Sequence, residues 1–201
     1  MPRIFVAVPV EESVRANIAG LRAVPAPQLR WVAEHQYHIT LRFLGEIREA
    51  DVDAVETAVR EAISETFPAA GGDGPSPAGL ELVARGVGAF PSPNLARVVW
   101  VGVEGDVAAL KRLQEAVARR LHGLGEPEDR PFSPHITVAR ARQPSPLPDA
   151  LRRFEGHEFG RWNADAAEII ESVLTPAGPI YTVRGRVPLG AGADDPAGLV
   201  F

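Results

Sequence analysis

The chain has 201 residues, 45% hydrophobic and 23% charged, with a formal net charge of −5. Those proportions suit one large domain or two small lobes and exclude a chain that is disordered throughout. The excess of acid excludes a broad basic coat for duplex DNA or RNA, and the absence of cysteine removes disulfides, thiolate nucleophiles and Cys-ligated zinc. No apolar run approaches the roughly 20 residues that span a bilayer. The start of the chain, one basic residue and a short apolar run before Glu11 and Glu12, does not read as a signal peptide, and the cytoplasm is the expected address. Twenty of the 21 basic residues are arginine, with Lys111 the exception. The same chain is rich in Ala, Gly and Pro, so compositional bias accounts for that ratio.

In chain order, Ile4–Val10 is an apolar run typical of a buried strand, and Glu11–Val24 spaces Val14, Ile18 and Leu21 as a helix. His38–Leu44 alternates as a strand closed by Gly45, and 50–67 is an amphipathic helix through Val52, Val55, Val59 and Ile63. The stretch 68–79 is too rich in Gly and Pro for either element. Leu80–Phe90 and Ala96–Val103 read as a hairpin across Pro91-Ser92-Pro93-Asn94, followed by a helix over 106–121. Pro134–Ala141 is a strand and 146–154 a short helix, and three strands close the chain at 157–162, 168–174 and 180–187. Residues 1–190 are expected to form one two-lobed domain and 191–201, rich in Gly, Ala and Asp, a mobile tail. Strands paired with a few long helices, without βαβ regularity, predict an α+β fold with antiparallel sheet.

Two tetrapeptides carry the chemistry: His38-Ile39-Thr40-Leu41 and His135-Ile136-Thr137-Val138. Side chains alternate along a strand, so each presents an imidazole and a hydroxyl on one face and two aliphatics on the other. With five His and six Thr in the chain, roughly 0.15 such triplets are expected by chance, and two are present. Histidine titrates near neutral pH, so a pair can divide the work of general base and general acid. Hydrolysis of a phosphodiester needs that pair, and threonine hydroxyls can donate to oxygens on which charge builds. Zinc is the rival reading, but two imidazoles fall short of the three or four ligands it takes. His35, which alternation puts on the far side from His38, or Glu46 would have to complete such a set. A Ser-His-Asp hydrolase lacks its Gly-x-Ser-x-Gly elbow.

Around these motifs the chain resembles the 2H phosphoesterase superfamily, and within it the RNA 2′,3′-cyclic phosphodiesterases also called 2′-5′ RNA ligases. The resemblance rests on both motifs in their context, on Phe5-Val6-Ala7-Val8, on Val98-Val99-Trp100-Val101-Gly102 and on Arg130-Pro131-Phe132-Ser133-Pro134 before the second motif. It implies two pseudo-symmetric lobes of antiparallel sheet facing a central cleft, with helices outside. It also implies hydrolysis of an RNA 2′,3′-cyclic phosphate end to a 2′-phosphomonoester, and the reverse ATP-independent 2′-5′ joining. In that scheme His38 donates the proton to the leaving oxygen, His135 activates water, and Thr40 and Thr137 hold the phosphate. No metal or cofactor is implied.

Candidate substrate contacts are Arg42, Arg130, Phe132 and Arg140. Simple alternation puts Arg42 on the His38 face but Arg140 on the face opposite His135, unless the strand ends or bulges near Ala139. It also sends Phe43 to the core with Ile39 and Leu41. Trp31, Trp100 and Trp162 are read as packing residues. The same acid–base pair would serve a smaller cyclic phosphate, such as ADP-ribose 1″,2″-cyclic phosphate. A third reading is a module that binds RNA ends or nucleotides without turnover. The expected partner is an RNA 3′ end or a cyclic nucleotide, with no membrane, and a monomer is the default.

Overall fold

The computed structural model describes residues 1–68, 79–128, 131–176 and 178–190. The elements run β1 (Arg3–Pro9), α1 (Glu12–Ala19), β2 (Leu29–Trp31), β3 (His38–Glu46), α2 (Val52–Thr66), β4 (Leu80–Ser92), β5 (Leu95–Gly105) and α3 (Val107–Arg120). They continue with β6 (His135–Ser145), α4 (Asp149–Arg152), β7 (Glu158–Ala164), β8 (Ala166–Thr175) and β9 (Gly178–Pro188). Every ladder is antiparallel, and the sheet order is β7-β4-β5-β6-β3-β1-β8-β9, with β2 added beside β6. The α+β expectation holds. The two expected sheets are halves of one, joined where β3 and β6 pair at Ile39 and Ile136.

One face of this sheet makes the main core. Val52, Val55, Val59, Ala62 and Ile63 of α2 and Leu110, Leu113 and Val117 of α3 are buried there with Ile39, Leu41, Ile136 and Val138. The periodicity that predicted both helices is therefore the periodicity of their core contact. Glu49, Asp51 and Asp53 stand at the start of α2 and Arg119 and Arg120 at the end of α3, each matching the helix dipole. The two helices pack together; across the contact Arg119 pairs with Glu65, and Arg120 with Glu61 and Glu65. Exposed pairs of this kind contribute little; apolar burial holds the layer.

The other face carries a smaller cluster of Phe5, Ala7 and Ile170, packed with Phe43 and Tyr181. It floors a cleft of about 660 Å³. Three differences from the sequence reading bear on this face. The first helix stops at Ala19 and tightens into a 3₁₀ turn over Gly20–Ala23 before Pro25. Strand β2 was not expected, being three residues long, yet it brings Arg30 and Trp31 to the cleft wall. The hairpin strands also run further than expected, to Ser92 and from Leu95. The expected mobile tail over 191–201 lies outside the described residues. Among the described residues, no helix is long and apolar enough to cross a membrane.

Candidate active site

The β3–β6 junction brings the two motifs face to face. With Ile39 opposite Ile136 in an antiparallel pair, His38 lies beside Thr137 and Thr40 beside His135. Ile39 and Ile136 are fully buried in the core, so alternation turns all four polar side chains to the opposite face, where His38, Thr40 and Thr137 line the cleft.

Both imidazoles are held in the same way. The Nδ1–H of His38 donates to the carbonyl of Gln36 at 2.7 Å, and that of His135 donates to the carbonyl of Ser133, also at 2.7 Å. The acceptor is two residues upstream in each case. This bond fixes the tautomer and leaves Nε2 as the working nitrogen. The Thr40 hydroxyl lies 3.1 Å from Nε2 of His38 and donates to it when the ring is neutral.

Surroundings distinguish the two rings. His38 is wedged between Phe5, 4.9 Å away, and Tyr181, 5.7 Å away, whereas His135 meets the edge of Phe90 at 5.0 Å. Burial lowers the His38 pKa to about 4, against the bond to Gln36, with smaller contributions from His135 and Arg140. Burial lowers His135 as well, and the Arg140 cation adds to it. Both imidazoles are therefore neutral at pH 7 in the free protein.

The first correction comes from a pair of bulges. In β3, Val6 faces Arg42 and Ala7 faces Thr40, so Leu41 is an extra residue; in β6, Val99 faces Ala139 and Trp100 faces Thr137, so Val138 is extra. The bulges occupy the same position in the two motifs, and each shifts side-chain parity by one. Arg42 consequently turns away from the phosphate side into the core face, 5% exposed, contrary to the alternation argument. Its guanidinium donates to the Glu126 carbonyl at 2.6 Å and pairs with Glu128 at 3.2 Å. Phe43 turns out of the expected core position and lines the cleft. Arg140, the residue equivalent to Phe43 in the second motif, reaches the cleft with Thr137, so the bulge alternative is the one realised.

Arg42 instead ties down the segment that leads into the second motif. The same segment is held by the Glu126 N–H on the Leu44 carbonyl at 2.9 Å, and Gly125 comes so close to that carbonyl that a Cβ would lie 2.1 Å from it. Arg42→Met is expected to lower stability by about 1–3 kcal/mol, the cost of the lost charge-assisted bonds, read as a lower denaturation midpoint. An unchanged midpoint would show that the tie is idle.

Other expectations fare as follows. Arg130 lies outside the described residues. Phe132 packs against the main core and is not part of the cleft lining. His35 lies on a 3₁₀ turn over Glu34–Gln36 and lines the cleft, because that turn cancels the alternation that put it on the far side. Trp162 is a core residue whose Nε1–H donates to the Pro9 carbonyl, but Trp31 lines the cleft. Trp100 shares the Thr137 face, lies over Gly88 and meets Phe90 at 5.3 Å. Among the described residues, no three His, Asp or Glu side chains are grouped to hold a metal ion. Sequence reasoning missed Arg3, Phe5, Arg30, Ser172 and Tyr181, which line the cleft from strands distant in the chain.

Comparison with known proteins gives the family and the fold. The family model of the 2′-5′ RNA ligase superfamily matches residues 9–175. The chain belongs to that superfamily. A similar curated protein, the RNA 2′,3′-cyclic phosphodiesterase of Archaeoglobus fulgidus, is 33% identical over 190 residues, covering 89% of this chain and 96% of its own. The protein of that name from Aeropyrum pernix is 36% identical over 157 residues, covering 76% and 82%. Among solved structures, a Thermus thermophilus protein superposes with a TM-score of 0.72 at 31% identity, over 94% of this chain and all of its own. E. coli LigT complexed with 3′-AMP gives 0.68 at 25% identity, over 94% and 98%. In this superfamily member both tetrapeptides, with His and Thr in each, lie within the matched residues 9–175.

Proposed function

We propose that the chain hydrolyses RNA 2′,3′-cyclic phosphate ends to 2′-phosphomonoesters, with two histidines as acid and base. The carrying observation is the junction itself: two identically tethered imidazoles turn to one face, each beside the other motif's threonine. A module that only binds RNA ends has no use for two such tethered bases. The names of the relatives support RNA ends over smaller cyclic phosphates.

In the proposed reaction a water oxygen attacks phosphorus and gives its proton to Nε2 of His135. The P–O3′ bond breaks, and Nε2–H of His38 protonates the departing 3′ oxygen. Thr40, Thr137 and Arg140 donate to the non-bridging oxygens as charge gathers on them. His135 suits the water side, since it is less enclosed and its Nε2 has no protein partner among the described residues. His38 is neutral in the free protein, so the arriving phosphate anion must raise its pKa for it to act as acid. When a 5′-hydroxyl RNA end replaces water as the nucleophile, the same steps in the same direction join the ends 2′-5′: its oxygen bonds to phosphorus, its proton goes to His135, and the P–O3′ bond breaks. Proton transfer accounts for both bond changes, and the scheme draws on no metal. Each half of the sheet supplies half of the site, so the two lobes act as one unit and a single copy of the chain suffices for the proposed reaction.

The test is incubation with an oligonucleotide ending in 2′,3′-cyclic phosphate, with EDTA present. The expected product is a 2′-phosphate with a free 3′-hydroxyl. A 3′-phosphate product, or tight binding without turnover, would refute the proposal. Turnover confined to ADP-ribose 1″,2″-cyclic phosphate would transfer it to the smaller substrate.

A further inference from the structure

The protein carries net negative charge, yet among the described residues its cleft lining holds no Asp or Glu. The lining does hold three arginines, Arg3, Arg30 and Arg140. Arg30 and Arg140 face each other across the β2–β6 ladder, where like charges oppose unless an anion lies between them. Of that pair, Arg140 is the one the proposed reaction gives to the reacting phosphate. Arg3 stands apart from it and is not needed for the chemistry.

Three neighbouring strands place donors in a row around Arg3. The β1–β8 ladder, in which Ile4 faces Glu171, brings Arg3 beside Ser172, and the β8–β9 ladder pairs Ser172 with Tyr181. All three residues line the cleft. The Arg3 guanidinium lies over the Phe43 ring at 4.9 Å and has no carboxylate partner among the described residues. Ser172 is 8% exposed, and its hydroxyl likewise has no partner there. Burial raises the Tyr181 pKa, against smaller lowering by the Arg140 and Arg3 cations, so its hydroxyl stays protonated. The Tyr181 ring also stands 5.7 Å from the His38 ring. The row therefore begins at Tyr181 on β9, beside the His38 ring, and crosses β8 at Ser172 to reach Arg3 on β1.

We propose that Arg3, Ser172 and Tyr181 form a second anion subsite, which takes the backbone phosphodiester on the 5′ side of the reacting nucleotide. This rests on the proposed RNA-end activity and sharpens it: the substrate is the end of an oligonucleotide, and a free nucleoside cyclic phosphate leaves the subsite empty. The row supplies a guanidinium and two hydroxyl donors, the set a phosphodiester accepts from. It has no fixed base-reading geometry, so the selectivity it gives is for length.

The experiment compares kcat/KM for a trinucleotide ending in 2′,3′-cyclic phosphate with that for a nucleoside 2′,3′-cyclic phosphate. The wild type is expected to favour the trinucleotide by tenfold or more, chiefly through KM, with a preference that shrinks as salt rises. In Arg3→Gln that ratio is expected to fall at least fivefold, Arg3→Lys to restore part of it, and Tyr181→Phe, which keeps the ring against His38, to lower it less. A ratio that is unchanged in Arg3→Gln overturns the subsite. Equal dependence on Arg3 with ADP-ribose 1″,2″-cyclic phosphate assigns the row to a pyrophosphate and overturns the RNA assignment. If neither cyclic phosphate is turned over, the activity fails separately, and binding of a fluorescent trinucleotide 3′-phosphate to wild type and Arg3→Gln still decides the subsite.

Discussion

His38→Ala and His135→Ala are each expected to lower kcat on a cyclic-phosphate RNA end by at least about 10²–10⁴-fold, the span of a lost general acid or base. The folded state is expected to survive both changes, because the rings stand on the cleft face and the anchoring Ile39 and Ile136 remain buried. The double variant is expected to be little worse than either single one, since both proton transfers belong to one displacement and loss of either already disables it. Single-turnover assays with circular dichroism as a control check this. A variant within fivefold of wild type, or two strictly multiplicative losses, would contradict the shared role.

Arg140→Met is expected to act in two ways. Loss of a charge-assisted contact to phosphate, about 1.5–3 kcal/mol, lowers kcat/KM by roughly 10–100-fold. The same loss also removes a cation that favours the neutral form of both imidazoles. In the free protein the His38 midpoint therefore rises from about 4, and that of His135 rises with it. The sign follows for the pH profile. Both free-protein pKa values lie below that of an ordinary histidine, so the wild-type bell for kcat/KM centres on the acid side of about 6.5. In Arg140→Met it moves toward higher pH. Imidazole proton NMR in the free protein reads both midpoints, and unchanged midpoints would place Arg140 away from the rings.

The four motif residues were legible because their geometry is local: two-residue alternation alone puts His and Thr together and Ile behind them. Arg42 and Phe43 were misread by that same rule, and Arg140 was left open by it, since one bulged residue in each strand reverses it. In β6 the signal was present as two adjacent small or apolar residues, Val138-Ala139, both buried. In β3 the matching pair is Leu41-Arg42, and the charge of Arg42 concealed it. Aligning the two motifs as a repeat would have equated Phe43 with Arg140. Arg3, Ser172 and Tyr181 come from three strands and assemble only through ladder register, which no local pattern encodes. Strand β2 is too short to leave a periodicity of its own.

The account stands on two rings addressing one phosphorus, and a crystal structure with a bound oligonucleotide 2′-phosphate tests that most directly. Nε2 of His38 and Nε2 of His135 are expected on opposite sides of the same phosphate, each within about 3.2 Å of one of its oxygens. A phosphate seated on one histidine alone, with the other ring turned elsewhere, would contradict it.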